Sequence, residues 1–488
     1  MSKTAIEGLE PKLVWEYFYG MTQVPRPSKK EEKIRAHVRE FANKNNFEFV
    51  EDKVGNIVIK VPATKGYENA PTIVIQGHLD MVCEKNKATN HDFDNDPLKI
   101  YRDGDWITAE GTTLGADNGI GVAAGMAVAT DPSVIHGPLE LLCTIDEETG
   151  MTGVNALQAG FITGRTLLNL DSEEDGAFYV GCSGGQDTRG YFELDYTDNN
   201  TKLSAFDIMV TGLKGGHSGL DVANGRANAI RLMAQLLNRI ESKVEFELAS
   251  ISGGSLRNAI PREAEVTILI NPSDEAKVIA ICDKFVADTL LEFNVNDPGL
   301  KVMFSKNDSK IEKIFTKEFT VNLIKVLLAT PHGIVAMSPD IPGLVETSTN
   351  LATLGIIDEM LVIGTSQRSA IDSAKWNISN VVKSVFELGN AAKVDTGDGY
   401  PGWQPNMDSQ LLKISKEVYG ELNNSEPKIK AIHAGLETGL LGAKYPGIDM
   451  ISFGPTIEGA HSPDERLNIP ATVKFYNLVK AILLRYTK

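Results

Sequence analysis

Histidine and carboxylate residues recur where apolar runs end, and these are the residues that could do chemistry in this chain. His78 and Asp80 follow the apolar run 73–75 almost at once. Because side chains alternate along an extended chain, the two point the same way, so Asp80 could orient His78 for binding a metal. The pair alone fits a solvated strand end equally well.

Acidic residues also follow two further apolar runs, which read as buried strands. These residues are Asp146, Glu147 and Glu148 after 139–145, and Asp171 after 167–170. Neighbouring carboxylates repel one another unless solvent or cations neutralise them. In open α/β sheets, ligands bind at the carboxyl ends of the strands, so these acids are expected to gather with His78 at one edge.

Two glycine-rich loops each present one further candidate ligand. Asp117 lies within the loop 112–121, directly before an alanine-rich helix, where an aspartate can equally serve as an N-cap. His461 lies in a loop bounded by glycine and proline, with Asp464 and Glu465 available to orient it.

This set of two histidines and several carboxylates suits a pair of zinc ions about 3.5–4 Å apart, bridged by one carboxylate and a water. Asp117, alone at its junction, is the natural bridge. Glu147 and Glu148 are adjacent and cannot face one metal in the same way. We therefore expect one of them to bind metal and the other to act as the general base.

Size and composition restrict the protein class. A chain of 488 residues favours two domains, and its net charge of −17 does not favour nucleic acid or an anionic membrane as a partner. No apolar stretch is long enough to span a bilayer, and the N-terminal residues lack the apolar core of a signal peptide. The four scattered cysteines form no disulfide framework, which predicts a reducing cytoplasm; Cys83 is the one near the proposed site.

The predicted strands become longer and alternate in polarity after residue 186. Residues 1–186 and 393–488 are predicted to form the two parts of one α/β catalytic domain, and 187–392 an inserted α+β domain. The insert is predicted to contain strands at 206–210, 266–270 and 360–363, and helices at 227–240 and 319–328. Its glycine-rich turn 212–219 presents a single histidine, His217, which is either a functional group or an exposed loop residue.

Six motifs together suggest a family. They are HLDMV (78–82), TTLGADNGIG (112–121), DEETG (146–150), NLDSEE (169–174), GLKGGHSG (212–219) and GPTIEGAHSPDE (454–465). In combination they closely resemble the cytosolic aminoacyl-histidine (Xaa-His, non-specific) dipeptidases of the di-zinc aminopeptidase-like superfamily, which includes carboxypeptidase G and peptidase T. The resemblance implies a catalytic domain with a mixed central sheet flanked by helices, and an inserted α+β lid or dimerisation-type domain.

The resemblance also implies roles for the candidate residues and two Zn²⁺ per subunit, for which Co²⁺ or Mn²⁺ can substitute. By this resemblance His78 binds one zinc and is oriented by Asp80, and Asp117 bridges the two zincs. Glu147 is the general base. Glu148 and His461 bind one zinc, and Asp171 binds the other. His217 resembles the histidine that polarises the scissile carbonyl, and Asn258 and Arg368 resemble the residues that hold the substrate backbone and its carboxylate. A charge argument alone assigns Glu437 to the substrate's free amino group.

The implied activity is zinc-dependent hydrolysis of unmodified dipeptides, Xaa-His and others. Two alternatives on the same scaffold are a tripeptidase and an N-acyl-amino-acid deacylase, and a third is a non-catalytic zinc-binding protein. A monomer and a homodimer are equally compatible with the large insert.

Overall fold

A computed structural model describes residues 2–488 of the chain, which divide into two compact units. The first unit contains the chain up to Gly181, Pro405–Ala431 and Leu436–Lys488. The second contains Cys182–Gln404 and Ile432–Gly435. The insert boundaries predicted from sequence, 187 and 392, lie inside this second unit.

Backbone pairing explains where the second unit begins and ends. Cys182 and Trp403 exchange hydrogen bonds, as do Gly185 and Tyr400, so the flanks of the insert belong to it. Ser183 donates to the carbonyl oxygen of Ile432, which ties the return segment 432–435 to the same unit. Composition does not mark such pairings, because they join residues far apart in sequence.

The first part of the chain alternates strands and helices. Its strands are β1 (Glu48–Glu51), β2 (Ile57–Val61), β3 (Ile73–His78), β4 (Ile100–Asp103), β5 (Trp106–Ala109), β6 (Leu139–Thr144), β7 (Thr166–Asn169) and β8 (Ala177–Cys182). Its helices are α1 (Lys12–Thr22), α2 (Glu32–Lys44), α3 (Ala116–Thr130), α4 (Glu147–Gly150) and α5 (Thr152–Ala156).

The middle part of the chain, which forms most of the second unit, has longer strands. They are β9 (Gly184–Glu193), β10 (Tyr196–Asp198), β11 (Ser204–Thr211), β12 (Gly216–His217), β13 (Phe246–Gly253), β14 (Ala259–Ile260), β15 (Ala264–Ile270), β16 (Lys301–Asn307), β17 (Lys313–Phe315), β18 (Gly333–Met337), β19 (Val345–Ile357), β20 (Met360–Ser369) and β21 (Lys393–Thr396). Its helices are α6 (Ala229–Glu241), α7 (Glu275–Phe293), α8 (Lys317–Ala329) and α9 (Asp372–Leu388). The three strands predicted from sequence in this region are confirmed as parts of β11, β15 and β20.

The last part of the chain returns to the first unit. Its strands are β22 (Lys428–Ile432), β23 (Asp449–Ser452), β24 (Ile457–Glu458) and β25 (Arg466–Asn468), and its helices are α10 (Gln410–Asn423), α11 (Glu437–Lys444) and α12 (Ile469–Arg485).

A mixed eight-stranded sheet forms the centre of the first unit, in the order β1-β2-β6-β3-β7-β23-β8-β22. Strand β3 runs parallel to β6 and β7, and β7 runs parallel to β23, whereas β1, β2 and β8 pair antiparallel. Every residue of β3 and β6 is buried, as the continuous apolar runs predict for central strands. The parallel strands therefore deliver His78, Asp146 and the residues after Asn169 to the same edge of the sheet.

The second unit is built on a nine-stranded sheet, in which β16-β11-β15-β13-β19-β20-β9-β21 form a continuous path and β18 pairs with β19. Side chains of β11 alternate, so Phe206, Ile208 and Val210 are buried with the apolar residues of α6 in one core. Within residues 2–488, no helix is both long and apolar enough to cross a membrane.

Candidate metal centre

The carboxylate of Asp117 lies between two histidines at the sheet edge of the first unit. Its Oδ1 is 3.1 Å from Nε2 of His78, and its Oδ2 is 3.2 Å from Nε2 of His461. Each oxygen therefore faces a different imidazole. Asp117 lies where α3 is interrupted, and its backbone angles are outside the helical range.

Two further carboxylates complete the groups around these histidines. Oδ1 of Asp171 is 3.2 Å from Nε2 of His78, and Oε2 of Glu148 is 3.1 Å from Nε2 of His461. Ligand atoms of His78, Asp117 and Asp171 lie within 4.8 Å of one another, as do those of Asp117, Glu148 and His461. Asp117 is common to both groups, which is the arrangement of a bridging ligand.

Asp80 links the first histidine to the two glutamates. Its Oδ1 lies 3.4 Å from Nδ1 of His78 and accepts the backbone N–H of Glu147 at 3.1 Å. Its Oδ2 accepts the backbone N–H of Glu148 at 3.2 Å and the hydroxyl of Ser28 at 2.8 Å. Asp80 thus positions both glutamates as well as the imidazole, a larger role than its spacing from His78 suggested.

The electrostatics of this cluster favour added positive charge. Hydrogen bonds with Asp117 and Glu148 raise the pKa of His461 to about 11. Burial raises the pKa of Asp171 to about 6 and that of Glu147 well above its usual range. The carboxyl groups therefore resist ionisation, and the neighbouring histidine retains its proton. Bound cations would stabilise such a site, because they favour ionised carboxylates.

The donor set fits divalent cations. Oε1 of Glu148 is buried and has no hydrogen-bond partner among the described residues. Buried polar atoms normally have a partner, so this oxygen points to a ligand. Nitrogen and carboxylate donors together suit zinc and related transition metals better than calcium, which prefers oxygen alone. Within residues 2–488, no candidate metal group includes Cys83.

Glu437 lies behind this cluster, at the start of α11. Its side chain is only 1% exposed, and Oε2 accepts hydrogen bonds from Gln76 at 2.6 Å and from Thr144 at 2.7 Å. Burial raises the pKa of Glu437 to about 8. Its Oε1 has no partner within the described chain, so this single oxygen is what Glu437 offers to a ligand.

The remaining candidates, His217, Asn258 and Arg368, belong to the second unit. Nδ1 of His217 accepts the backbone N–H groups of Gly219 and Leu220 at 3.2 and 3.0 Å. Burial, together with Arg368, lowers the pKa of His217. The imidazole is therefore neutral with its proton on Nε2, which makes Nε2 a hydrogen-bond donor.

Asn258 and Arg368 differ in exposure. Asn258 is exposed, and its carbonyl oxygen accepts the N–H of Ser218 at 2.8 Å. Arg368 is buried, donates to the Tyr400 hydroxyl at 3.2 Å, and keeps its Nε without a partner among the described residues. An Arg368 guanidinium with an unpaired N–H suits a carboxylate ligand.

Sequence reasoning missed three residues close to these groups. Arg26 is buried and donates to the carbonyl oxygens of Leu79 and Asp80. His433 is buried in the second unit, with Nε2 at 2.7 Å from Oγ of Ser348. The third is Glu31, which forms a buried acidic group with Asp80 and Asp146. No local pattern marks them, because each acts through residues distant in sequence.

Comparison with known proteins identifies relatives of the whole chain. The sequence model of peptidase family M20/M25/M40 matches residues 74–485. The cytosol non-specific dipeptidase of Escherichia coli (strain K12) is 40% identical over 481 residues, which cover 97% of this chain and 98% of that protein.

Solved structures agree with this match. The crystal structure of aminoacylhistidine dipeptidase from Vibrio alginolyticus superposes with a TM-score of 0.92, at 38% identity over 99% of both chains. Aminopeptidase PepT from Bacillus cereus shares the fold, with a TM-score of 0.58 at 17% identity over 98% of this chain and 100% of that one.

Proposed function

This chain belongs to peptidase family M20/M25/M40, and from that premise we propose that it is a metal-dependent dipeptidase. The proposal rests on the relatives of matching length whose names state dipeptidase activity. The observation in the structure that carries it is the Asp117 carboxylate, which directs one oxygen to the His78 group and the other to the His461 group. In keeping with the name of the E. coli relative, we propose a cytosolic location.

We propose that two Zn²⁺ ions are held by these side chains, with Co²⁺ or Mn²⁺ able to substitute. His78, Asp171 and Asp117 would hold one ion, and His461, Glu148 and Asp117 the other. When bound, such ions lower the pKa of water and polarise the peptide carbonyl.

Glu147 is proposed as the general base. Its side chain is half-buried at the start of α4, which Asp80 holds through the backbone N–H groups of Glu147 and Glu148. Glu147 takes a proton from the attacking water and returns it to the leaving amine. A group with a raised pKa is well suited to hold that proton between the two steps.

Further residues are proposed to contact the dipeptide. Nε2–H of His217 donates to the oxygen of the carbonyl under attack, where negative charge develops. Asn258 holds the substrate backbone, and Arg368 pairs with the free carboxylate. The unpartnered oxygen of Glu437 receives the free ammonium group, for which a buried carboxylate is a strong partner.

A panel of substrates tests this function. The purified protein is treated with a chelator and assayed with and without restored zinc on β-Ala-His, Gly-His, Leu-Leu, a tripeptide and an N-acetyl amino acid. We expect zinc-dependent cleavage confined to the dipeptides. Cleavage of only the tripeptide or only the acetylated compound would assign the tripeptidase or deacylase activity instead. No cleavage by the zinc-loaded protein would indicate a non-catalytic zinc-binding protein.

A further inference from the structure

Glu465 holds the backbone turn that carries the bridging aspartate. Its Oε2 accepts the N–H groups of Leu114 at 2.8 Å and Gly115 at 2.9 Å. Its Oε1 accepts those of Ala116 at 2.7 Å and Asp117 at 3.3 Å. One carboxylate therefore binds four consecutive N–H groups, including that of Asp117 itself. The side chain is only 2% exposed, so water does not compete for these contacts.

The same glutamate belongs to the loop that carries the second histidine. His461 lies four residues earlier, and the N–H of Glu465 donates to the carbonyl of Ser462 at 3.1 Å. The carbonyl oxygen of Glu465 in turn accepts the hydroxyl of Thr108 at 2.7 Å. The spacing suggested that Glu465 orients the His461 ring, but the structure shows no such contact among the described residues. Glu465 connects the His461 loop with the Asp117 turn.

Arg26 holds the other side of this turn. The guanidinium is 1% exposed and donates through Nη1 to the carbonyl oxygens of Leu79 at 3.0 Å and Asp80 at 2.7 Å. Nη2 donates to the carbonyl oxygen of Gly115. Arg26 thus joins the segment after His78 to the residue two positions before Asp117.

Gly115 lies between these two buried charges. Its N–H donates to Glu465 and its carbonyl oxygen accepts from Arg26, and its φ of 67° is in the left-handed region that glycine adopts without cost. A Cβ at this position would lie 2.5 Å from Nη2 of Arg26. The close approach of Arg26 therefore requires a glycine here.

We infer that Glu465 and Arg26 are a positioning pair that sets the Asp117 carboxylate between the His78 and His461 groups, and so determines how tightly the site holds its two cations. This inference rests on the proposed metal centre. Neither side chain is among the candidate ligands. Each contacts backbone groups in the segments that contain candidate ligands.

The test substitutes Glu465 by Gln. An amide cannot accept four N–H groups, because its NH₂ end is a donor, so part of the turn loses its partner. We expect Glu465→Gln to weaken Co²⁺ and Zn²⁺ binding about 10- to 100-fold in calorimetric titration of the metal-free protein. The visible absorption spectrum of bound Co²⁺ should change as well, since it reports ligand geometry.

Glu458→Gln is the matched control. Glu458 lies in β24, directly before the His461 loop, but is exposed and pairs with Arg466, so its substitution should leave affinity and spectrum unchanged. A folded Glu465→Gln protein with wild-type Co²⁺ affinity and spectrum would overturn the inference and leave Glu465 a purely structural cap.

Arg26→Lys keeps the test decisive should Glu465→Gln not fold. Lysine keeps the charge but lacks the forked donors that reach both segments. Weakened Co²⁺ binding by folded Arg26→Lys would support the inference, and wild-type binding would overturn it. If the wild-type protein itself bound no cation, the proposed metal centre would fail, which is a different outcome from an unchanged variant.

Discussion

Adjacent glutamates with different proposed roles are the central feature at the scale of single residues. Oε2 of Glu148 lies 3.1 Å from Nε2 of His461, whereas Glu147 forms no ion pair with a histidine among the described residues, although its carboxylate lies within 4.8 Å of ligand atoms of His78 and Glu148. Both backbones are held by one carboxylate, that of Asp80. This geometry supports the assignment of Glu147 as base and Glu148 as ligand, a choice that adjacency by itself left open.

Paired isosteric substitutions test this division of roles. Glu147→Gln should lower kcat about 10²- to 10⁴-fold while cation binding is retained, because the amide cannot accept a proton from water. Glu148→Gln should weaken cation binding, and its activity should recover in part with excess zinc. Calorimetric titration and steady-state kinetics measure both. Near-normal turnover by a zinc-loaded Glu147→Gln protein would refute the proposed mechanism.

A second residue-scale prediction concerns His433. Burial, together with the nearby Arg368 and His217, lowers the pKa of His433 from 6.5 to about 3. The folded protein therefore keeps this ring neutral, where Nε2 can accept from Ser348. Below about pH 6.5 the unfolded chain takes up a proton at this position and the folded chain does not, so acid destabilises the fold.

The size of this effect follows from the pKa difference. Between about pH 7 and pH 5 the free energy of unfolding should fall by about 2 kcal/mol through His433 alone. Urea unfolding of the wild type and His433→Gln at about pH 7 and pH 5 measures this effect, since the variant should lack that part of the decrease. An identical pH dependence in the two proteins would contradict the prediction.

At the scale of elements, the close approach of α3 to the central strands brings the candidate ligands together. A Cβ at Gly121 would collide with the carbonyl oxygen of Leu170, the residue before Asp171. The amide of Asn118 donates to the same carbonyl at 2.5 Å. The first turns of α3 therefore pack directly on the end of β7, which places Asp117 near both His78 and Asp171.

Two glycines of α3 provide a matched test of this packing. Gly121→Ala should lower the free energy of unfolding by about 1–3 kcal/mol, because backbone must move to admit the methyl group. At Gly125 a Cβ would lie 3.4 Å from Cγ2 of Ile75, an ordinary contact. Gly125→Ala should therefore be neutral or stabilise by up to about 1 kcal/mol, the helix propensity gain. Urea unfolding measures both, and equal effects would contradict the packing argument.

At the scale of the whole molecule, the candidate ligands are unevenly divided. Among the described residues, all candidate metal groups lie in the first unit, whereas His217, Asn258 and Arg368 lie in the second. Cation binding should therefore stabilise the first unit selectively, by about 4 kcal/mol at a cation concentration 1,000 times the dissociation constant.

Hydrogen exchange with and without a chelator tests this expectation. Chelation should accelerate amide exchange at 114–121, 146–152 and 459–465, where backbone groups hold the ligands. The core strands of the second unit, such as β11 and β15, should keep their protection and serve as the internal control. Restored zinc should reverse the change. A uniform loss of protection in both units, or none in either, would contradict the prediction.

The sequence by itself determined the elements and the identity of the candidate ligands. Continuous apolar runs predicted the central strands; His78 is the last residue of β3, and Asp146 and Asp171 lie two residues after the ends of β6 and β7. These are local signals, because a strand and the residue that ends it are covalent neighbours. The family motifs are likewise short segments, and the match to peptidase family M20/M25/M40 confirmed the family they indicated.

Only the tertiary structure decided how distant segments meet. Glu465 reaches Leu114 across 351 residues, and nothing in either segment indicates that contact. The same holds for Arg26 with Gly115 and for the segment 432–435, which joins the second unit although its neighbours belong to the first. Such contacts depend on how separate loops pack around one buried site. Local patterns of polarity and spacing do not indicate that packing.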